Sequence, residues 1–501
     1  MSTPTQQRLQ QLAGTQYIDG DYRAGSGPRR DIVDPATGAV FAHFTEATPA
    51  EVEAAITAAA RAQKEWWAMG ALDRANALHR VATRLVEMSA AAGECLTREM
   101  GKPFRESNWE IGASSSAFRY YAELARHDQG RVSGPVIAGQ LQMTLKEPLG
   151  TVVSIVPFNF PVLLFGWQAA AALAAGNAVI VKPSELTSLT LLLVMAAFDE
   201  LPRGLVQTLT GGAATGKRLV EHPGTHAVAF TGSVPAARAV AETAGRRFKP
   251  VLIEASGNDP FIVMPSAPVD VVAKGATFAA FLNCGQVCTS AERFYVHEAV
   301  YDEFVAALAR EARALRIGSG LDRIDVGPLA SSRERDRVER IVARAVEQGA
   351  KVVCGGRRPL HMTQGCFYEP TVLEVTHAMD IMHGECFGPL APVCKVSDLD
   401  EAIRLANDSD FGLGANIYTS DLVEAMRAVS EIESGIVWVN TPLNDNDCVP
   451  FGGRKLSGMG RELGAEGLEQ FRRSKMVMIS PTAEADPEWF PYPDRDAWPG
   501  Q

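Results

Sequence analysis

The order of secondary-structure signals predicts an α/β chain made of two successive, mostly parallel sheet units. Three observations carry this prediction. Strand and helix patterns alternate from Ala178 to Glu254, and alternating β and α units build parallel sheets flanked by helices. The alternation resumes after residue 300. At 501 residues the chain is also longer than one ordinary core accommodates, so two or three domains are expected.

The elements follow in order. Gln16–Tyr22 reads as an opening strand, and Asp34-Pro35-Ala36-Thr37-Gly38 as a turn. Thr48, Pro49 and Glu51 form a helix start, with a cap, a proline at the first helical position and a capping box. Helical apolar spacing runs from Val52 to Trp66, from Arg74 to Met88 and from Trp109 to Arg126. Leu141–Val156 is strand-like, punctuated by Pro148 and Gly150. A buried Ala-rich helix, Gln168–Ala175, precedes a Gly-Asn turn. Strands are then expected at Ala178–Val181, Val206–Thr210, Ala227–Phe230 and Val251–Glu254. The helices between them are Thr187–Leu201, Gly216–Glu221 and Pro235–Ala244. In the second unit Tyr301–Leu315, Glu334–Gln348 and Leu399–Asn407 read as helices and Lys351–Cys354 as a strand. From Pro481 on, proline density excludes a regular helix, while Trp489, Phe490, Tyr492 and Trp498 argue that the tail packs on something.

Composition narrows the partners. Hydrophobic residues make up 46% and charged residues 21%, the balance of a globular protein. A net charge of −11 argues against nucleic acid or an anionic membrane as partner. The most apolar stretch, Val162–Val181, is interrupted by Trp167, Gln168, Gly176 and Asn177, so a membrane span is not expected. No basic segment followed by an apolar run opens the chain, and a cytoplasmic location is expected. The eight scattered cysteines are expected to be reduced, and no paired C-x-x-C units suggest a metal.

The sharpest chemical signal is Phe281-Leu282-Asn283-Cys284-Gly285-Gln286-Val287-Cys288. A cysteine after a Gly-containing turn can sit where backbone N–H groups lower its pKa and make it a nucleophile. A lone cysteine is more often a small buried hydrophobe. Glu254, ending a buried strand, is costly there unless it is paired or has a chemical task.

The cysteine segment resembles the active-site motif F-x-N-x-G-Q-x-C of the aldehyde dehydrogenase superfamily. Further matching blocks are Val156-Pro157-Phe158-Asn159-Phe160-Pro161, Ala174-Ala175-Gly176-Asn177, Lys182-Pro183-Ser184-Glu185 and Phe230-Thr231-Gly232-Ser233. Glu385-Cys386-Phe387-Gly388-Pro389 and Pro450–Gly458 follow, so the resemblance spans about Tyr17 to Met478. It implies Cys288 as nucleophile, Asn159 with the Cys288 backbone N–H as oxyanion donors, and Glu254 as general base. It also implies NAD, with NADP as the alternative. The cofactor would be held by Pro157, Phe158, Lys182, Ser184, Glu185, Gly212, Gly216, Phe230, Gly232, Ser233, Glu385 and Phe387. Glu185 favours NAD, because a carboxylate accepts from ribose hydroxyls and repels a 2′-phosphate.

The implied domains are a Rossmann-like NAD-binding unit, 1–128 with 148–254, and a catalytic unit, 255–450. A small β oligomerisation element with the tail comprises 129–147 and 451–501. A homodimer or homotetramer is implied. Two departures stand out: Ala255 and Ser256 where the family has Leu and Gly, and Gln168 where it has Lys. Phe158, Phe160, Leu163, Trp167, Phe281 and Val287 suggest an apolar funnel for an aliphatic or aromatic aldehyde. The rival readings are a cysteine-dependent esterase, a semialdehyde-specific dehydrogenase and a non-catalytic protein on the same scaffold. Cys284 and Cys288 are a candidate reversible disulfide.

Overall fold

The computed structural model describes residues 4–127, 130–484 and 489–490. The opening strand is a hairpin, Thr15–Ile18 against Asp21–Ala24. Asp19 and Gly20 form its turn at φ 57° and 77°, and an Asp-Gly pair with positive φ suits the twist of a two-residue hairpin. The capping box is present: Thr48 and Glu51 bond reciprocally at the start of helix Pro49–Ala68. Helix Ala71–Met100 runs about three turns beyond the expected end at Met88, stopping where Gly101 adopts φ 92°. Phe104–His127 forms the next helix and packs along it.

The first sheet has the strand order Asp21–Ala24, Thr15–Ile18, Val206–Thr208, Ala178–Lys182, Thr151–Ile155, Ala227–Thr231, Val251–Glu254, Gly458–Met459. Its five central strands are parallel. Chain order reverses between Thr151–Ile155 and Ala227–Thr231, which opens a crevice at their C-terminal ends, the place where open α/β sheets bind ligands. The second sheet runs Lys351–Cys354, Thr371–Glu374, Leu390–Val396, Ala291–His297, Asp259–Val263, Asn416–Tyr418, Trp438–Val439. Each sheet anchors its own hydrophobic core. A third, antiparallel sheet joins Arg472–Ile479, Leu141–Pro148 and Gly130–Ser133.

Several expectations change. Leu141–Val156 splits at Gly150 (φ 128°) into strands of two different sheets. Thr187–Leu201 is broken into short helical pieces, Glu185–Thr187, Ser188–Val194 and Met195–Phe198. Phe451, Leu463, Leu468 and Phe471 pack into the first core, and Gly458–Met459 extends the first sheet. Among the described residues of the segment 451–501, only Arg472–Ile479 therefore joins the small sheet. Trp489 and Phe490 are exposed within the single chain; Pro491, Tyr492, Pro493 and Trp498 lie outside the described residues. Among the described residues no helix is long and apolar enough to cross a membrane, and no cluster of three potential metal ligands occurs.

Candidate active site

Helix Val269–Phe281 delivers the chain into a tight reversal. Asn283, Cys284 and Gly285 all take left-handed backbone, at φ 50°, 58° and 72°. At residue 285 a Cβ would lie 2.0 Å from the Gly388 carbonyl oxygen, so only glycine fits. The two strained neighbours are held by polar contacts. Asn283 Nδ2 donates to the carbonyls of Asn159 (3.3 Å) and Gln286 (3.1 Å), and Gln286 Nε2 returns a bond to the Asn283 carbonyl at 3.0 Å. The reversal sends Cys284 into the second core and Cys288 against the first. That placement disfavours a disulfide between them, and both are free thiols.

Glu254 ends strand Val251–Glu254 with 2% exposure. Burial pushes its carboxyl well above the usual range, and the nearby Glu462 pushes it further. The Cys288 thiol lies close enough to this carboxyl to interact with it, and Glu254 Oε1 has no hydrogen-bond partner among the described residues. The thiol itself is displaced upward by burial, then by the Glu254 and Asp259 charges. Backbone donors therefore do not make Cys288 acidic; desolvation and negative neighbours outweigh them. Gly257 packs on the same loop so closely that a Cβ would meet the Cys288 carbonyl oxygen at 2.0 Å.

The two sequence departures are resolved by their surroundings. Gln168 Nε2 donates to Glu462 Oε1 (2.9 Å) and Thr231 Oγ1 (3.0 Å), and its Oε1 accepts from Ser154 at 2.6 Å. A neutral amide thus occupies the place of the family's cation, and burial raises the Glu462 carboxyl to about 7. Ser256 keeps ordinary backbone, and the adjacent Gly257 N–H donates to the Glu385 carboxylate at 3.1 Å.

Asn159 follows the strand Thr151–Ile155 and is 3% exposed. Its carboxamide Oδ1 has no hydrogen-bond partner among the described residues. The Cys288 backbone N–H likewise donates to no backbone acceptor among them. The Cys288 N–H is thus free to donate to a developing oxyanion, and Asn159, whose Nδ2 is the donating atom of its carboxamide, is tied to the cysteine loop through Asn283.

The crevice gathers the expected cofactor residues at its rim. Lys182 ends strand Ala178–Lys182 with its side chain buried, its ammonium pKa lowered by that burial and supported only by the Glu185 charge. Ser184 caps the short turn carrying Glu185. Gly212 faces Glu185: a Cβ there would lie 2.7 Å from Oε1. Gly216 packs on the Lys182 stem, and the Phe230 ring folds over Gly232. Ser233 precedes helix Val234–Gly245, whose first turn has no side-chain cap and no acidic residue. Open N–H groups there suit a phosphate, and the buried, unbonded Lys182 ammonium suits ribose hydroxyls; these residues fit a dinucleotide. Past Pro157, the Phe158 ring meets Phe387 edge-on, 5.9 Å between centroids.

On the opposite side of the cysteine loop lies a cavity of about 930 Å³, walled by Trp109, Phe160, Phe281, Leu282 and Leu443. Phe160 and Phe281 line it as expected, whereas Trp167 packs on Phe451 instead. Sequence reasoning missed Gln168's bridging, Glu462, and Glu292, which accepts from Cys386 N–H and Phe387 N–H at 2.7 Å each and so holds the Glu385 loop. Their polar types were visible; nothing local marked them as buried.

Comparison with known proteins places this geometry. The sequence profile of the aldehyde dehydrogenase family matches residues 22–477. The chain is 36% identical to a 3-sulfolactaldehyde dehydrogenase of Pseudomonas putida over 469 residues, covering 92% of this chain and 96% of that protein. It is 36% identical to a peroxisomal aminoaldehyde dehydrogenase of Malus domestica over 475 residues, covering 92% and 94%. The fold superposes on the crystal structure of Staphylococcus aureus betaine aldehyde dehydrogenase in complex with NAD+, with a TM-score of 0.93 and 31% identity over 98% of this chain and 99% of that one. The profile match over residues 22–477, the identity to these relatives and the shared fold show that this chain belongs to the aldehyde dehydrogenase family.

Proposed function

We propose that the protein oxidises an aldehyde to the free carboxylic acid through a thioester on Cys288, using NAD. The observation that carries the reading is the placement of the Cys288 thiol beside the buried Glu254 carboxyl, close enough for the two groups to interact electrostatically. As sulfur adds to the aldehyde carbon, Glu254 takes its proton. The resulting oxyanion accepts from the Asn159 carboxamide and the Cys288 N–H. A nicotinamide bound in the crevice supplies the hydride acceptor. Glu254, deprotonated again, then takes a proton from the water that hydrolyses the thioester. Lys182 and Glu185 hold the adenosine ribose, the Ser233 helix start the pyrophosphate, and Glu385 with Phe387 borders the nicotinamide side. The NAD+ bound by the Staphylococcus aureus relative supports this cofactor.

The similar proteins are named for differently charged aldehydes, so the substrate class is drawn from the cavity. Arg105, Lys274, Arg316 and Arg323 on its rim face Glu106, Asp322 and Asp325, and Arg316 is already paired with Asp325 at 2.8 Å. Charges nearly balance, and the aromatic wall favours an aliphatic or aromatic aldehyde. We also place the chain in a homodimer or homotetramer built on the small antiparallel sheet, whose Val132, Leu141, Leu145, Met476 and Ile479 are exposed. Eight free cysteines favour a reducing compartment, the cytoplasm.

The test is product analysis with an aldehyde panel, NAD, and coenzyme A present or absent. The expected product is the free acid in both cases. An acyl-coenzyme A product, with no acid formed in its absence, overturns the hydrolytic reading.

A further inference from the structure

A buried ion pair lies directly behind the proposed oxyanion site. Lys102 Nζ and Glu110 Oε2 are 2.6 Å apart, with both side chains fully inaccessible. An isolated pair of this kind is weak evidence for stability, because desolvation offsets the attraction. Its other contacts are more informative. The Lys102 ammonium donates to the backbone carbonyl of Asn159 and sits 3.8 Å from the centroid of the Phe160 ring. The Glu110 Oε1 accepts from Val162 N–H (2.8 Å) and Leu163 N–H (3.3 Å). Those amides open helix Pro161–Ala174, which has no cap of its own. The pair thus clamps both ends of the segment 159–163.

One helical turn before Glu110, on the same face of helix Phe104–His127, Glu106 accepts from the Asn283 N–H at 3.0 Å. Asn283 in turn donates to the same Asn159 carbonyl from its side chain. The start of one helix therefore fastens the asparagine loop and the cysteine loop to each other. The Asn159 carboxamide has no hydrogen bond of its own to orient it through Oδ1, so its aim depends on where its backbone is held.

We propose that Lys102, Glu106 and Glu110 are positioning residues that set the distance between the Asn159 carboxamide and Cys288. This rests on the reading of Asn159 as an oxyanion donor. A site held within a fraction of an ångström by its supporting residues keeps its rate, and a misplacement near 1 Å costs about 100-fold.

The experiment compares the Lys102→Met/Glu110→Gln double variant, Asn159→Ala, and the triple combination. The double variant removes both charges while keeping shape, so no buried charge is left alone. Glu106→Ala, at the partly exposed end of the array, is measured in parallel in case the double variant does not fold; thermal unfolding reports that. Asn159→Ala is expected to lower kcat about 100-fold or more. The double variant is expected to lower kcat about 10- to 100-fold, with the KM for NAD unchanged. In the Asn159→Ala background it is expected to add no further loss, because residues acting through one donor are non-additive. Glu106→Ala is expected to follow the same pattern with a smaller loss. A full, multiplicative loss in the Asn159→Ala background, or wild-type kcat in the folded double and Glu106 variants, overturns the proposal. Wild-type kcat in Asn159→Ala alone instead overturns the oxyanion reading on which it rests.

Discussion

The Cys288 thiol and the Glu254 carboxyl, 34 residues apart in the chain by their numbers, lie close enough to interact electrostatically, with Cys288 packed against the first hydrophobic core. Both groups are shifted toward their protonated forms by burial. The pair becomes active once the Glu254 carboxyl has lost its proton to solvent and can take the proton of the Cys288 thiol.

Glu254→Gln is therefore expected to slow both thiol addition and thioester hydrolysis. Turnover should fall about 100- to 10,000-fold, the usual worth of a positioned base, as read by steady-state NADH formation. In the wild type burial raises the Glu254 pKa and its base form is favoured as pH rises through it, so the hydrolysis rate should climb with pH above the ordinary carboxylate range. That climb should be absent in the glutamine variant. A variant that retains the wild-type pH limb would remove Glu254 from the base role.

Glu185 bears on cofactor choice. It is exposed beside Gly212 at the crevice rim, where its charge opposes a 2′-phosphate. Glu185→Ser should raise the ratio of kcat/KM for NADP over NAD by about 5- to 10-fold, in line with roughly 1 kcal/mol of repulsion at a solvent-exposed separation of 4 Å. Steady-state kinetics with both cofactors decide it; an unchanged ratio rules the residue out.

Thr48 caps helix Pro49–Ala68, far from the chemistry. The Thr48 N–H donates to Glu51 Oε2 at 2.7 Å, and Glu51 N–H donates to Thr48 Oγ1 at 3.3 Å. Thr48→Ala should lower stability by about 1 kcal/mol in denaturant titrations while leaving kcat unchanged. A loss of activity without loss of stability would contradict a purely structural cap.

Met476 projects from the edge strand Arg472–Ile479 with 78% exposure. Met476→Asp should shift the protein toward smaller assemblies in light scattering, because a charge on a buried apolar edge must be desolvated. Unchanged mass would mean that the small sheet is not the contact.

Much of the chain's organisation was legible without coordinates. The α/β alternation, the capping box at Thr48 and the strand Val251–Glu254 follow from local periodicity and end signals. The elements missed, such as Asp259–Val263 and Ala291–His297, are buried along nearly their whole length; without an exposed face they show no alternation to detect. The Asp19-Gly20 turn was passed over within an apparently continuous strand, although its dipeptide is a hairpin signal.

The sequence by itself determined the family motif, and with it Cys288, Glu254 and Asn159 as the residues to examine. Only the tertiary structure decided their chemical state and their supports. Gln168 reaches Glu462 across 294 positions, and Lys102 reaches the Asn159 carbonyl across 57. The physical reason is that a carboxyl or thiol takes its pKa from how completely water is removed and which charges remain nearby, and both are properties of packed surroundings that distant segments assemble.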